Sequence, residues 1–533
     1  MAVPGTDNSE SSGHELFGIT EPISLSFGSS RDIEESRKMM SYLDTAAPSE
    51  SEEGLLERWE ALIELEEKVS DWLSSRCNMQ PHPQQGDTGY ALCRVLTFGS
   101  FRLGIIRPSS DIDTLVLIPS KVSRDRFFSE FISEILANDP CVSECLPVTD
   151  ARVPIAKVKY RGIFLDILVA CVPSTSITVG MESVDDSLIF KVEEKCMKSM
   201  NGIRVADKII RLVPDPKTFR DATRMIKYWA QQRCIYSNSV GYFGGVAWSM
   251  AVARVCQLYP NYCAKQIVER FFYTFASWSW EDNGPVMLCH SQEMKIPPAL
   301  IRQGGVSVLT QFKDWNPSKY SSDRFQVMPV ITPIFPSHNT TYNVTESQKQ
   351  VMIDEIKRGK ELIQLMHLSS GEVGWKDLCA PLPFWDIYSE FLELNIWGKS
   401  VEIFSRFKGL VESRVRSLIR CIEQHKRSIH IRPHPDMFLM NKPSEGSFFI
   451  GIHAIDSIDL RPAIDLFIND TLEKGIQAPE WAGIDLKSDI RLVIRITSDP
   501  FPASAGSADS VDGEEGDSKR LRLSEEMDDA LNV

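Results

Sequence analysis

Two aspartates separated by one residue are the first side chains in this sequence that could carry out chemistry. Asp111 and Asp113 open an apolar, β-branched run after a Pro-Ser-Ser turn, which predicts a strand. Side chains alternate along a strand, so the two carboxylates should share one face about 6.5 Å apart. Leu115 and Leu117 would continue that face into the core. Two carboxylates at one strand end suit Mg²⁺, a hard cation that takes oxygen ligands and substrate phosphates.

A Gly-Ser step lies eleven residues upstream of the aspartate pair. Gly99 lets a phosphate approach the backbone closely, and Ser100 offers both an N–H group and a hydroxyl. Taken alone, the two aspartates could instead be solvent-exposed acids at the end of a strand. The combination favours a nucleotidyltransferase, and a third carboxylate is needed to decide.

Asp166 is the candidate for that third carboxylate. It lies inside the apolar run IFLDILVA, directly after an Arg161-Gly162 step that predicts a β-hairpin. A carboxylate in such a run costs several kcal/mol unless it is paired or bound to metal. The alternative is an acid on an edge strand that faces water. Three acids together could hold two metal ions that activate an attacking hydroxyl and bind the leaving pyrophosphate.

Basic residues recur along a predicted helix at 219–234. Arg220, Arg224 and Lys227 follow i, i+4, i+7 spacing, which suits a triphosphate or an RNA backbone. A solvated helix face is the bland alternative. Just downstream, Tyr236 could reach a ribose or a phosphate.

The segment after this helix could accept the rest of a nucleotide. Asn238 could contact the ribose or a phosphate, and the Gly244-Gly245 step admits the close approach of a flat base. A further helix is predicted from Val246 to Leu258.

Composition limits the class of protein. The chain has 533 residues, enough for roughly three or four domains, and its 43% hydrophobic content excludes a mainly disordered protein. No apolar run reaches the ~18 residues that span a bilayer, so we expect no membrane association. Twelve cysteines without paired or zinc-like spacing indicate reduced thiols in a nucleus or cytosol.

The acidity of the chain is concentrated at its ends. Residues 1–60 carry 13 acids and 4 bases, and residues 501–533 carry 9 acids and 3 bases. These two segments account for the whole net charge of −15, so residues 61–500 are neutral overall. The folded body can therefore present a local basic groove to nucleic acid. Beyond residue 345, alternating strand and helix patterns fit a small α+β RNA-binding domain without an RNP-type aromatic signature.

With these residues in view, the chain resembles the eukaryotic nuclear poly(A) polymerases, from near the N-terminus to about residue 420. Many segments match in the same order, which is far more specific than any single motif. They are GITEPIS, FGSFRLG, SDIDTLVL, VPIAKVKYRGIFLDIL, SMNGIRVADKIIRLVP, MIKYWAQQRCIYSN, GYFGGVAWSMAVARVCQLYPN, SSDRFQVMPVITP and GLVESRVRSLI.

The resemblance implies roles for individual residues. The metal-binding catalytic aspartates fall on Asp111, Asp113 and Asp166. The ATP-binding residues fall on those three and on Phe98, Gly99, Ser100, Asn201, Lys227, Tyr236, Asn238, Gly245 and Val246. The RNA-binding residues fall on Arg152, Val153 and Lys157. Arg152 is a departure, because the family carries an aromatic residue before this VP step.

The resemblance also implies an α+β multidomain fold. It predicts a disordered N-terminus (1–16), a polymerase-β-like nucleotidyltransferase palm (17–203) whose N-terminal helices could pack on the next domain, a helical central domain (204–352), an RNA-recognition-like RNA-binding domain (353–499) and a disordered acidic tail (500–533).

The implied function is the template-independent addition of AMP from ATP to an RNA 3′ hydroxyl, with two Mg²⁺ or Mn²⁺ ions as cofactors. The resemblance further implies a monomeric nuclear enzyme of mRNA 3′-end processing, with cleavage and polyadenylation factors as partners. Two alternatives stay open: a terminal uridylyltransferase, and a non-catalytic RNA-binding subunit of a processing complex.

Overall fold

The computed structural model describes most of the chain between residues 18 and 498. Within that span the described part excludes 81–88, 150–152, 291–293, 295, 369–371, 426–428, 441, 454–458, 470–472, 477–480, 482–483 and 486–487. The predictions of disorder for residues 1–16 and for the acidic tail, and any structural role of Arg152, lie outside the described residues.

Helices dominate the described part of the chain. In order they are α1 Ser30–Ala46, α2 Glu52–Ser75, α3 Gly99–Leu103, α4 Arg124–Arg126 (continuing as a π-helical segment Phe127–Ile135 and a 3-10 turn Leu136–Asn138), α5 Glu194–Leu212, α6 Pro216–Gln232, α7 Gly245–Leu258, α8 Ala264–Ala276, α9 Pro298–Gln311, α10 Ser321–Arg324, α11 Glu346–Leu368, α12 Trp375–Leu378, α13 Phe384–Ile387, α14 Val401–His425, α15 Arg461–Phe467 and α16 Glu473–Ile476. Short 3-10 turns also occur at Ser174–Ser176 and Asp186–Lys191.

The strands form two separate sheets. They are β1 Arg94–Thr97, β2 Ile112–Pro119, β3 Val142–Val148, β4 Ile155–Tyr160, β5 Ile163–Val172, β6 Glu390–Gly398, β7 His430–Pro433, β8 Phe438–Leu439, β9 Glu445–His453 and β10 Ile490–Thr497. The first sheet has the order β1-β2-β5-β4-β3, and only its β2–β5 pair is parallel. The second has the antiparallel order β10-β6-β9-β7, with β8 added to β9.

Strict alternation along β2 gives the first sheet two buried faces. Leu115 and Leu117 are fully buried beside Met200 of α5, as the sequence pattern predicts. Val116 and Ile118 face the other way, into a cluster with Trp72 of α2 and the phenylalanines of the π-helical segment. Apolar clusters therefore cover both faces of β2, whereas the edge strand β3 is largely exposed.

The hairpin predicted at Arg161-Gly162 is present. These two residues join β4 to β5 with φ values of 49° and 82°. Two successive positive φ values are typical of a type I′ turn, whose twist matches that of the flanking strands. The turn sets the register in which Lys157 of β4 pairs with Asp166 of β5.

A helical region follows the first sheet. Trp229, Trp248 and Phe272 are fully buried there, and the rings of Trp229 and Phe272 meet edge to face with centroids 4.8 Å apart. Met39 and Leu43 of α1 are fully buried in the same core, so the first helix packs on this region, whereas α2 packs on the first sheet.

A buried ion cluster joins the helical region to the second sheet. Glu355 of α11 accepts from Arg233 Nε at 2.8 Å and from Arg432 Nη2 of β7 at 3.0 Å. The same Arg432 nitrogen donates to the carbonyl oxygen of Arg233 at 2.6 Å. All three side chains are buried. Removing Glu355 would leave two buried guanidinium groups without a counter-charge, so this carboxylate ties the second sheet to the helical region.

The observed architecture confirms the predicted fold class: a mixed α+β chain with a five-stranded sheet, a helical region and a second sheet. Among the described residues, none of the helices combines the length and the hydropathy that crossing a bilayer requires.

Candidate active site

Two of the three candidate acids lie side by side in the first sheet. Asp113 of β2 and Asp166 of β5 are directly paired across the parallel ladder, where neighbouring strands are about 4.8 Å apart. Asp111 comes immediately before β2 and is exposed. All three residues line one cavity, so the fold brings together carboxylates that are 55 residues apart in sequence.

Burial and mutual repulsion shift the pKa values of these acids upwards. Burial, together with the charges of Asp111 and Asp166, raises the pKa of Asp113 to about 7 against the opposing effect of Lys227. Burial also raises the pKa of Asp166, although the nearby Lys157 ammonium, 3.6 Å from Asp166 Oδ2, opposes that shift. A cluster of partly buried carboxylates is unfavourable in the ionised form unless positive charge is supplied.

Gly99 sits directly against the most buried of these acids. The backbone N–H of Phe98 donates to the carbonyl oxygen of Asp113 at 3.0 Å, which ties the Gly-Ser step to β2. Gly99 has φ of +59°, and a Cβ atom built there would overlap Oδ2 of Asp113. The position therefore requires glycine twice over, for backbone conformation and for space. Ser100 follows in the first turn of α3, at the cavity wall.

The cavity has a volume of about 920 Å³, which suits a nucleotide together with the end of a polymer chain. Twelve of the residues that the sequence analysis singled out line it. They are Phe98, Gly99, Ser100, Asp111, Asp113, Lys157, Asp166, Asn201, Lys227, Tyr236, Gly245 and Val246.

Lys227 of α6 and Tyr236 form the cationic wall opposite the acids. The Lys227 ammonium lies 5.8 Å from the centroid of the Tyr236 ring. Burial, together with the charge of Arg107, lowers the pKa of Lys227 to about 8. Burial raises the pKa of Tyr236 to about 12, so its hydroxyl stays a donor. A Cβ at Gly245 would lie 2.6 Å from the Tyr236 hydroxyl, so glycine keeps this wall open.

The predicted basic stripe on α6 lies only partly at the cavity. Arg220 Nε donates to the carbonyl oxygen of Leu103 at 2.9 Å, and Arg224 Nη2 pairs with Asp44 of α1 at 2.8 Å. Both arginines therefore hold neighbouring elements in place and lie outside the cavity lining, and a role for them on a triphosphate or RNA stays a prediction. Lys227 alone of the three lines the cavity.

Family models and known proteins similar to this chain indicate one family. Residues 18–213 match the family model described as the poly(A) polymerase nucleotidyltransferase domain, and residues 218–381 match the poly(A) polymerase central domain. Poly(A) polymerase PAPalpha of Candida albicans is 36% identical over 413 residues, which cover 77% of this chain and 70% of that protein. The chain belongs to the poly(A) polymerase family.

Other matches are longer or weaker. Nuclear poly(A) polymerase 1 of Arabidopsis thaliana is 34% identical over 461 residues, covering 86% of this chain; the chain spans only 62% of the length of that relative. A solved structure of a cytoplasmic RNA terminal U-transferase is similar over 66% of this chain and 99% of its own, at 16% identity and a TM-score of 0.43. That likeness is too weak to carry an argument.

Two of the predicted site residues in the described part of the chain do not line the cavity. Among the described lining residues, Asn238 and Val153 do not occur. The backbone oxygen of Asn238 accepts from Asn343 Nδ2 at 3.0 Å, and Val153 packs against the apolar cluster under α5. Arg152 lies outside the described residues. Their substrate contacts stay predictions.

Other lining residues were missed by the sequence analysis. Arg107 lines the cavity, lowers the pKa of Lys227 and donates to Gln231 Oε1 at 2.7 Å. Gly202 lies under the Phe98 ring so closely that a Cβ there would overlap it. The Arg-Pro step between the two motifs was the available signal for Arg107, whereas nothing local to Gly202 points to Phe98.

The acids fit a metal that shares its ligands with a substrate. Among the residues that the structure describes, no three His, Cys, Asp or Glu side chains are arranged to hold a metal ion by themselves. Magnesium needs no such cage, since it is usually held by one or two carboxylates, water and substrate phosphates. The paired Asp113 and Asp166, with their raised pKa values, match that mode of binding.

Proposed function

We propose that this protein is a polynucleotide adenylyltransferase that adds AMP from ATP, without a template, to the 3′ hydroxyl of RNA and releases pyrophosphate. The observation that carries the proposal is the pairing of Asp113 with Asp166 in a cavity that also contains Lys227 and Tyr236. Similarity to poly(A) polymerases over most of the chain supports the choice of ATP and RNA.

Asp111, Asp113 and Asp166 would hold two Mg²⁺ or Mn²⁺ ions. When bound, such ions neutralise phosphate charge and lower the pKa of an attacking hydroxyl. Lys157 lies 3.6 Å from Asp166, so it can hold that carboxylate while remaining close to the incoming RNA end. Gly99 keeps Asp113 Oδ2 accessible, since any side chain at that position would occupy the same space.

The cationic wall would bind the nucleotide. Ser100, Lys227 and Tyr236 face the triphosphate in this proposal, because a hydroxyl, an ammonium and a phenol each donate to phosphate oxygens. Asn201, Asn238, Gly245 and Val246 surround the ribose and adenine. Gly245 supports this placement, since its missing side chain leaves room beside Tyr236 for a flat base.

The RNA 3′ end would enter from the side of Arg152, Val153 and Lys157. The domain division is part of the proposal: a palm at 17–203, a helical central domain at 204–352 and an RNA-binding domain at 353–499. Ser405 of α14 lines the same cavity as the acids, which supports a role for the last domain in covering the RNA. A polymerase of this kind would act as a monomer in the nucleus, recruited by cleavage and polyadenylation factors.

Primer extension with each nucleoside triphosphate separately tests the proposal. The purified protein should extend an oligo(A) primer with ATP and Mg²⁺ or Mn²⁺, and far less with UTP, CTP or GTP. Preferential incorporation of UTP would identify a terminal uridylyltransferase instead. Binding of RNA without incorporation of any nucleotide, in either metal, would identify a non-catalytic RNA-binding subunit.

A further inference from the structure

The floor of the cavity continues beyond the acids in two rows of side chains across the first sheet. In one row, Leu146, Lys157, Asp166 and Asp113 are paired in register from the edge strand β3 to β2. Strand pairing also aligns Glu144, Lys159 and Phe164 in a second row, two residues further along each strand. Residues two apart on a strand share a face, so both rows point into the cavity that they line.

Phe164 is the unexpected member of the second row. Its side chain is 47% exposed, although it occupies a long apolar strand whose next residue, Leu165, is fully buried. Leu146 on the edge strand is also exposed, at 37%. A single exposed apolar residue needs no explanation, but these two lie on the floor of a polar cavity beside Asp166.

Cations are interleaved with these apolar side chains. The Lys159 ammonium lies 4.8 Å from the centroid of the Phe164 ring and 3.2 Å from Glu144 Oε1. Lys157 stands between Leu146 and Asp166 in the first row and is more than half exposed. Alternating aromatic or apolar surfaces and ammonium groups are the pattern that binds single-stranded nucleic acid, with bases stacked on the former and phosphates paired with the latter.

We propose that Phe164 and Leu146 form a stacking platform for bases just upstream of the RNA 3′ end, with Lys159 on the adjoining phosphate. This inference rests on the proposed function, because it takes the strand that reaches Asp166 to be RNA. Phe164 lies two residues from Asp166 along β5, about 6.6 Å, which is roughly two stacked nucleotides at 3.4 Å each. The platform therefore serves the bases one or two positions before the reacting nucleotide.

Phe164→Ala tests the platform. Because stacking of one base on an aromatic side chain contributes 1–3 kcal/mol, the KM for an oligo(A) primer and the Kd for the same oligonucleotide without ATP should rise about 5- to 150-fold. The KM for ATP at saturating primer should change less than about twofold. Phe325→Ala is the matched control, since Phe325 is 79% exposed and lies outside the cavity lining. Phe164→Trp should retain the wild-type primer KM.

An oligo(A) primer that lacks bases at the two nucleotides before its 3′-terminal nucleotide distinguishes stacking from a general structural effect. The wild-type protein should bind this primer much more weakly than the intact one, whereas Phe164→Ala, which keeps only Leu146 of the platform, should show a much smaller difference. Unchanged primer affinity in Phe164→Ala, or equal losses on the abasic primer in both proteins, would overturn the platform. Absence of tailing by the wild-type protein with every nucleotide would instead overturn the proposed function, because primer binding is measured without catalysis.

Discussion

The carboxylate of Asp113 occupies the space that a side chain on Gly99 would need. A Cβ atom built on Gly99 would overlap Oδ2 of Asp113, and Gly99 also adopts φ of +59°. The Gly-Ser step and the aspartate pair are thus parts of one packed unit. Their eleven-residue spacing in sequence follows from the β1–α3–β2 connection that places them in contact.

Gly99→Ala should abolish tailing while the protein still folds. The added methyl group displaces Asp113, and the left-handed backbone conformation adds roughly 1 kcal/mol of strain. Gly162→Ala is the matched control, since Gly162 has φ of +82° but no atom within 4 Å of a Cβ there. Primer extension and thermal unfolding should show similar small losses of stability in both variants and loss of activity only in Gly99→Ala. Equal activity in the two variants would show that tailing does not require glycine at position 99.

Nucleotide affinity should depend on the protonation of Lys227. Burial lowers the pKa of Lys227 to about 8, so the amine is charged below that pH and neutral above it. If only the charged form binds the triphosphate, the KM for ATP rises roughly tenfold between pH 7 and pH 9 at saturating Mg²⁺. Lys227→Met should have a high KM that is flat over this range. A flat profile in the wild-type protein would mean that Lys227 does not bind the triphosphate.

Glu355 should be critical for stability and not for chemistry. Burial alone would raise the pKa of Glu355, but the hydrogen bond from Arg233 and the charges of Arg233 and Arg432 lower it. Glu355→Gln leaves two buried arginines without a counter-charge, which should cost about 3 kcal/mol or more in the free energy of unfolding. Urea denaturation measures this loss, with Glu361→Gln, an exposed position on the same helix, as control.

The stability lost in Glu355→Gln should depend on pH, because the pKa of Glu355 is lowered in the folded state. A carboxylate whose pKa is lowered in the folded state stabilises the fold above its unfolded pKa of about 4.3, and this contribution disappears as the pH falls through the lower folded value. The stability difference between wild type and Glu355→Gln should therefore be full at pH 7 and shrink below about pH 4. A difference that is constant with pH would contradict an ionised Glu355.

The local sequence pattern predicted the structural features that depend on neighbouring residues in the chain. Alternation placed Leu115 and Leu117 on the face that continues from Asp113, and the Arg161-Gly162 step predicted the hairpin that brings Lys157 beside Asp166. The convergence of Asp113 with Asp166 was inferred from the cost of a carboxylate in an apolar run. The parallel pairing that achieves it has no signature in either segment.

Features that depend on contacts between residues far apart in sequence were not predictable. Arg220 and Arg224 share a helix face with Lys227, but their partners, Leu103 and Asp44, lie more than 100 residues away. Phe164 belongs to a run that is typical of a buried strand, and its exposure in the cavity is visible only in the folded structure.

The central claim is that the paired acids carry out nucleotidyl transfer, and Asp113→Asn tests it most directly. Tailing of an oligo(A) primer with ATP and saturating Mg²⁺ should be compared among wild type, Asp113→Asn and Asp125→Asn, the last an exposed acid outside the cavity lining. Metal-held charge is worth several kcal/mol in the transition state, so Asp113→Asn should lose roughly 10³-fold in kcat and keep its affinity for the primer, whereas Asp125→Asn should match wild type. Tailing by Asp113→Asn within tenfold of wild type would contradict the account.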